Sequence, residues 1–376
     1  MDIRLSFMQQ IYCHTNKELP IESIEAVDSV EAFGKLIARR VSLNKVFLVH
    51  GKGSYTASGA QNLIASAKVL SDSSVIEFFD FTANPHYQDA VCGKIRIDEQ
   101  RPDAIIAIGG GSVIDMAKLI RYLAADKSLP LVAIPTTSGT GAESTKFAVC
   151  YKDGTKQSVE SPDMLPDYVL LEPSLTLNNN AYLTACTGFD ALAQAIEAYW
   201  NINANEQSDR LALEAIQLIY PNLVHQSNDL TWRTNMMIGA NLAGQAINIT
   251  RTTAPHAMSY TLTSKYGYPH GHAVALSFPF FFEQNIRCSK ENYTGSDYDI
   301  YHHKMNILLD KLNLTDKDDL FDVMKQYTKQ MGLSFDSQKP IDTSIVAQGV
   351  NPERAKNNPL RLTEEILTNA AKSIII

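Results

Sequence analysis

Asp190, Gln194 and Glu197 interrupt an otherwise apolar and aromatic run, GFDALAQAIEAYW at 188–200. On a helix they fall at i, i+4 and i+7 and share one face. Either that stripe faces water, or the helix is buried, as helices apolar nearly all round usually are. A buried carboxylate needs a cation, a metal or a set of donors. Histidines that could answer Asp190 stand further on, in TTAPHAMSYTLTSKYGYPHGHAVAL: His256 after a proline that suits a first helical turn, then His270 and His272. A lone histidine on an apolar face is ordinarily a core residue. Asp190, His256 and His270 together would offer one oxygen and two nitrogens with positions left open. That set suits a catalytic Fe²⁺ or Zn²⁺ better than Mg²⁺ or Ca²⁺.

A second set of residues could hold an anion. GKGS (51–54), GGGS (109–112) and PTTSGTGAE (135–143) each follow an apolar run. Gly109, Gly110 and Gly111 would let a pyrophosphate approach the backbone at a helix N-terminus, and Thr136, Thr137, Ser138 and Thr140 would add hydroxyls. Each loop taken singly is equally a tight turn. None matches G-x-G-x-x-G, so the reading rests on three such loops at three strand ends.

The elements that must carry these loops alternate. KVFLVHG (45–51), SSVIEFFDF (73–81), DAIIAIGGG (103–111), LPLVAIP (129–135) and DYVLLEP (167–173) read as strands. SGAQNLIASAKVL and SVIDMAKLIRYLAA between them have helical spacing. Near-continuous apolar strands separated by helices imply a parallel, Rossmann-like sheet covered on both faces. From about Leu183 onward only helical periodicity remains. The turn-rich SLTLNNNAY (174–182) makes a boundary between an α/β dinucleotide-binding domain (1–180) and an all-helical metal-binding and substrate domain (181–376).

Length favours two domains. With 45% hydrophobic and 20% charged residues the composition is that of a soluble globular chain. A net charge of −8 argues against nucleic acid or an anionic membrane as partner. No stretch reaches the roughly 18 apolar residues of a membrane span. The start lacks a cationic head followed by an apolar core, and the five cysteines (Cys13, Cys92, Cys150, Cys186, Cys288) lack metal-type pairing. Reduced thiols in the cytoplasm are the expectation.

Taken in order, the GGGS-x-x-D-x-A-K run, PTTSGTGAE, GFDALAQAIEAY, APHAMSY and PHGHA resemble the group III, iron-containing alcohol dehydrogenases over about residues 40 to 285. The resemblance implies the dehydroquinate synthase-like fold, with an N-terminal dinucleotide-binding domain, a helical C-terminal domain and a metal in the cleft between them. It also implies hydride transfer between a nicotinamide cofactor and a small alcohol or aldehyde by a homodimer. The family's metal ligands fall on Asp190, Gln194, His256 and His270, with Gln194 where the common pattern has His. Fe²⁺ is the implied ion and Zn²⁺ the alternative. A further family histidine, one turn after His256, is Tyr260 here, which becomes the proton-relay candidate. Cofactor contacts fall on Gly109, Gly110, Gly111 and Ser112, with Asp115 of the same run, on Thr136, Thr137, Ser138 and Thr140, and on Lys156.

A narrower likeness links GFDALAQAIEAYWNINANEQS, the histidine segment and NPERAKNNPLRLTEE to the phosphonoacetaldehyde reductases of that family. A phosphonate needs cationic and hydroxyl donors, and Arg251, Thr252 and Thr253 directly precede the His256 segment; the other reading of RTT is a helix cap with a surface arginine. NADPH is expected over NADH, because Gly51, with Lys52 and Ser54 beside it, stands where NAD-preferring enzymes place an acid. Competing functions are a broad-specificity alcohol or lactaldehyde dehydrogenase, a dehydroquinate-synthase-like lyase, and a nucleotide-binding module without catalysis. The lyase binds a highly anionic substrate, and MSYTLTS and ALSFPFFF are mostly neutral or aromatic.

Overall fold

The computed structural model describes residues 11–15, 25–27, 30–39, 41–66, 72–82 and 84–376. Its strands are β1 (Ile11–Thr15), β2 (Glu25–Val27), β3 (Lys45–His50), β4 (Ser74–Phe78), β5 (Ala104–Gly109), β6 (Leu131–Pro135), β7 (Phe147–Lys152), β8 (Thr155–Glu160) and β9 (Tyr168–Leu171). Seven of them form one sheet in the order β2-β1-β9-β6-β5-β3-β4, and β7 and β8 form a separate hairpin. β4, β3, β5, β6 and β9 run parallel, while β1 pairs antiparallel with both β9 and β2.

The strand period of two builds two cores from one set of strands. Phe47, Val49, Ile105, Ala107, Leu131 and Ala133 enter one buried cluster, and Val46, Leu48, Ala104, Ile106, Val132 and Ile134 enter the other. Helices α1 (Val30–Ala38), α2 (Ser54–Ala57) and α3 (Ala60–Ser66) cover the second cluster. Helices α4 (Tyr87–Gln100) and α5 (Gly111–Leu123) cover the first. Both faces are therefore apolar, which is why these strands read as continuous hydrophobic runs. Buried charges lock α5 in place: Arg121 donates to Asp167 at 2.5 Å and to the Leu165 carbonyl at 2.6 Å.

Four short strands, β1, β2, β7 and β8, lie outside the apolar runs picked out in the sequence. The hairpin strands β7 and β8 are half-exposed and carry too little hydrophobic signal to stand out; β8, TKQSVE, has no fully buried residue. Its hairpin turns at Asp153 and Gly154, both at positive φ, the Asp-Gly signature of a two-residue turn. The end of the expected helix over 58–70 lies outside the described residues from position 67.

The second part of the chain is helical: α6 (Ala181–Trp200), α7 (Glu206–Leu223), α8 (Leu230–Thr250), α9 (Ala254–Tyr266), α10 (His270–Ile286), α11 (Tyr298–Lys311), α12 (Leu320–Gln330), α13 (Thr343–Gln348), α14 (Pro352–Ala355) and α15 (Glu364–Ser373). The chain divides into two compact units, Met1–Asn179 with Ser227–Met237, and Asn180–Gln226 with Ile238–Ile376. Within the second, α6 packs on α7 and α10, and α9 packs on α10. No helix among the described residues is long and apolar enough to cross a membrane.

Candidate metal centre and glycine loops

α6 starts at Asn180, whose side chain accepts from the Leu183 N–H, and every residue from Gly188 to Trp200 is buried. The polar stripe does not face water: Asp190 is 2%, Gln194 4% and Glu197 0% exposed. Its partners come from two other helices. Pro255 sits in the first turn of α9, just ahead of His256, and His270 opens α10 behind Pro269.

His256 Nε2 lies 3.0 Å from Asp190 Oδ1, and His270 Nε2 lies 3.8 Å from the same oxygen. One ligand atom each of Asp190, His256 and His270 falls within 4.8 Å of the other two, the one such grouping among the described residues. Atoms ~2.1 Å from one tetrahedral ion lie roughly 3.4 Å apart, between the 3.0 and 3.8 Å separations of the two histidines from Asp190. The donor chemistry fits as well: one carboxylate and two imidazoles. This is a candidate metal site.

Glu197 completes it in a way the sequence reading did not assign. His256 Nδ1 lies 2.5 Å from Glu197 Oε1, so the ring is held between two carboxylates. Burial opposes a charge on His256, but Glu197 and Asp190 outweigh it and push its pKa up to about 9. Glu197 Oε2 accepts from the Thr253 N–H at 2.6 Å and the Thr253 hydroxyl at 2.8 Å, and the Trp200 indole donates to that hydroxyl at 2.9 Å. The signal was present as the third polar residue of the stripe. Its partner lies 59 positions away and could not be paired with it by spacing.

Gly271 is a second unassigned residue. A Cβ there would stand 1.8 Å from the Cys186 carbonyl oxygen and 3.2 Å from Asp190 Cβ. Only glycine lets the first turn of α10 lie this close to α6, and that contact brings His270 to Asp190. His272 takes no part: its Nδ1 meets the Tyr182 hydroxyl at 2.8 Å and its Nε2 the Ser334 carbonyl at 2.9 Å. Gln194 stays on the buried stripe between Asp190 and Glu197. Tyr260 is half-buried on α9, one turn past His256.

The Arg251–Thr253 segment serves the junction of α8 and α9. Arg251, at φ 75°, donates to the Ile247 and Asn248 carbonyls of α8. The Thr252 carbonyl accepts from Asn357, and Thr253 is fully buried in its contacts with Glu197 and Trp200. Thr252 and Thr253 are buried, and Arg251 alone of the three is partly exposed.

In the first unit, the loop after β5 has glycines of two kinds. A Cβ on Gly109 would meet Val113 Cγ2 at 2.5 Å, and one on Gly111 would meet Thr140 Oγ1 at 2.5 Å. Gly110 caps α5 in ordinary extended geometry, and a Cβ there would meet only Thr137, at 3.5 Å. The backbone is thus open at Gly110, followed by Ser112 in the first turn of α5. After β6, Thr136 and Ser138 are buried, Thr137 and Thr140 partly so, and Ser138 Oγ is buried with no hydrogen-bond partner. An open backbone at a helix N-terminus and an unpaired buried hydroxyl fit an extended anionic cofactor. After β3, Gly51 approaches Ser54, while Lys52 and Ser54 are exposed. Asp115 serves the hairpin: its carboxylate accepts from the Val149 N–H at 2.9 Å and faces the buried Lys118 at 3.5 Å. Lys156 is part of the same electrostatic neighbourhood, one of the groups that lower the Asp115 pKa against the dominant effect of burial.

Two family models match: iron-containing alcohol dehydrogenase over residues 20–173, and the Fe-containing alcohol dehydrogenase family, C-terminal, over 184–366. The chain is similar to aldehyde-alcohol dehydrogenase 2 of Entamoeba histolytica, 30% identical over 71% of this chain and 34% of that protein. It is also similar to the probable alcohol dehydrogenase EutG of Escherichia coli, 34% identical over 56% of this chain and 58% of that one. The chain thus matches about a third to three fifths of the length of these relatives. The solved structure of an iron-containing alcohol dehydrogenase from Thermotoga maritima superimposes with a TM-score of 0.74 at 26% identity, over 89% of this chain and 92% of that chain.

Proposed function

Because the chain belongs to the iron-containing alcohol dehydrogenase family, we propose that it reduces a short aldehyde to its alcohol with a nicotinamide cofactor and one divalent metal. The observation that carries this reading is the convergence of Asp190, His256 and His270 from three helices onto one point. When bound, the metal would supply Lewis acidity at the carbonyl oxygen and the reduced nicotinamide would supply the hydride. The overall change consumes one aldehyde, one hydride equivalent and one proton, and yields the alcohol and the oxidised cofactor.

The residues divide the work. Asp190 contributes the negative charge of the ligand set, His270 and His256 the two neutral donors, and Glu197 holds the His256 ring. Gln194, one turn after Asp190 on the same face, is the proposed fourth donor through its amide oxygen. Gly109, Gly110, Gly111 and Ser112 would receive the pyrophosphate, with Thr136, Thr137, Ser138 and Thr140 as hydroxyl donors. Tyr260 is the proposed proton relay to the product oxygen. Exposed Lys52 beside Gly51 supports NADPH over NADH.

For the substrate, the likeness of three segments to phosphonoacetaldehyde reductases supports an anionic two-carbon aldehyde, reduced to 2-hydroxyethylphosphonate. Arg251 is the residue that would meet its far end, and Arg251→Ala should then raise KM for phosphonoacetaldehyde far more than for propanal. Equal effects on both would leave a general short-chain alcohol dehydrogenase. A cytoplasmic homodimer is part of the same reading, and mass measurement by light scattering would test the dimer. The test of the whole is NADPH and NADH oxidation against an aldehyde panel, with Asp190→Ala and His270→Ala as controls that should abolish both turnover and bound metal.

A further inference from the structure

We propose that Glu197, Thr253 and Trp200 form a buried positioning chain that aims His256 Nε2 and thereby sets the affinity of the site for a divalent ion. The inference rests on the metal reading above and adds three residues to it, none of which touches the ion. Glu197 is the only one of them with a charge, and it lies at full burial. Two donors from a single residue, the Thr253 N–H and hydroxyl, fix its Oε2 at 2.6 and 2.8 Å. Once that oxygen is fixed, Oε1 has one direction left, and it meets His256 Nδ1 at 2.5 Å. Glu197 thus holds the proton on Nδ1, so that the proton on Nε2 is the one a cation would displace to reach a lone pair.

The far end of the chain is anchored too. Trp200 donates its indole N–H to Thr253 Oγ1, and its ring stacks on Phe278 of α10 at 5.8 Å. Phe278 meets Phe189, the neighbour of Asp190, edge-on at 5.3 Å. The tryptophan thus ties the turn ahead of His256 to the helix that carries His270.

The test reads metal binding rather than turnover. Metal-stripped protein is titrated with Zn²⁺ against a chromophoric chelator, the Co²⁺-loaded form is read by its d–d absorption, and the Tm of the metal-stripped form is recorded. Glu197→Gln keeps the shape but replaces one acceptor by an amide donor, and should weaken Zn²⁺ binding about tenfold to a hundredfold and shift the Co²⁺ bands. Thr253→Val should weaken it by several-fold, Trp200→Phe by less, and Thr253→Ser, which keeps the hydroxyl, should stay within about twofold. If Glu197→Gln does not fold, the Thr253 and Trp200 variants decide. Zn²⁺ affinity and Co²⁺ spectra unchanged in Thr253→Val and Glu197→Gln, with only Tm lowered, would overturn the positioning role while leaving the metal site standing. An unsubstituted protein that binds no divalent ion would instead overturn the functional reading beneath it.

Discussion

Around Asp190, polar side chains close on one another: two imidazoles, a second carboxylate, and beyond it a threonine and a tryptophan, all buried but the partly exposed His270. Around Gly110, by contrast, the chain offers backbone and open space, a helix N-terminus, and a buried Ser138 hydroxyl without a partner. The first region is built for a single atom and must fix the direction of every lone pair. The second suits a long ligand that brings its own charge and needs room for it. The difference predicts how each region fails when altered. Side-chain changes should break the first by misdirecting donors, whereas an added Cβ should break the second by occupying the ligand's space.

The largest expected effect lies where both kinds of failure meet. Gly271→Ala places a methyl 1.8 Å from a backbone oxygen, so α10 must retreat from α6. That should cost about 1–3 kcal/mol of stability or more and move His270 off Asp190, with loss of bound metal. Thermal unfolding and metal analysis would read both, and a variant that keeps its metal would show that α10 is not what positions His270.

Next come the glycines of the loop after β5, which should part company. Gly109→Ala and Gly111→Ala run into Val113 and Thr140 and should lower stability by about 1–3 kcal/mol. Gly110→Ala meets nothing closer than 3.5 Å and should leave Tm alone while raising the cofactor Kd about tenfold. Fluorescence titration with NADPH and NADH separates these, and equal Tm losses in all three would erase the distinction.

Smaller effects sharpen the same contrast. Gln194→Ala should weaken metal binding less than His256→Ala does, and Gln194→His should tighten it; unchanged affinity in Gln194→Ala would make the residue packing alone. Ser138→Ala should weaken cofactor binding by roughly 1 kcal/mol, about fivefold, with Tm unaffected. A fall in Tm would mean that the hydroxyl serves the fold.

The sequence was legible where a residue type conflicts with its surroundings. Asp190 on an apolar helix demanded a partner, and His256 and His270 supplied it from segments with conflicts of their own. The parallel sheet was legible because burial on both faces leaves unbroken apolar runs such as AIIAIG. Where a residue's role depends on a partner distant in the chain, spacing carried nothing: Glu197 and Thr253 are 56 positions apart, and Gly271 matters only because the Cys186 carbonyl lies beside it. Nor could spacing show that Thr253, read as a substrate donor, also bonds Glu197. The bonds of Asp115 to Val149 and Lys118 likewise join positions that no local pattern links to its cofactor-like run.

The central claim is tested most directly by stripping the unsubstituted protein of metal and titrating Fe²⁺ or Zn²⁺ back while following NADPH-dependent aldehyde reduction. One equivalent of metal per chain should restore full turnover, and His270→Ala should recover neither binding nor rate. Full activity in protein shown to be metal-free would contradict the account.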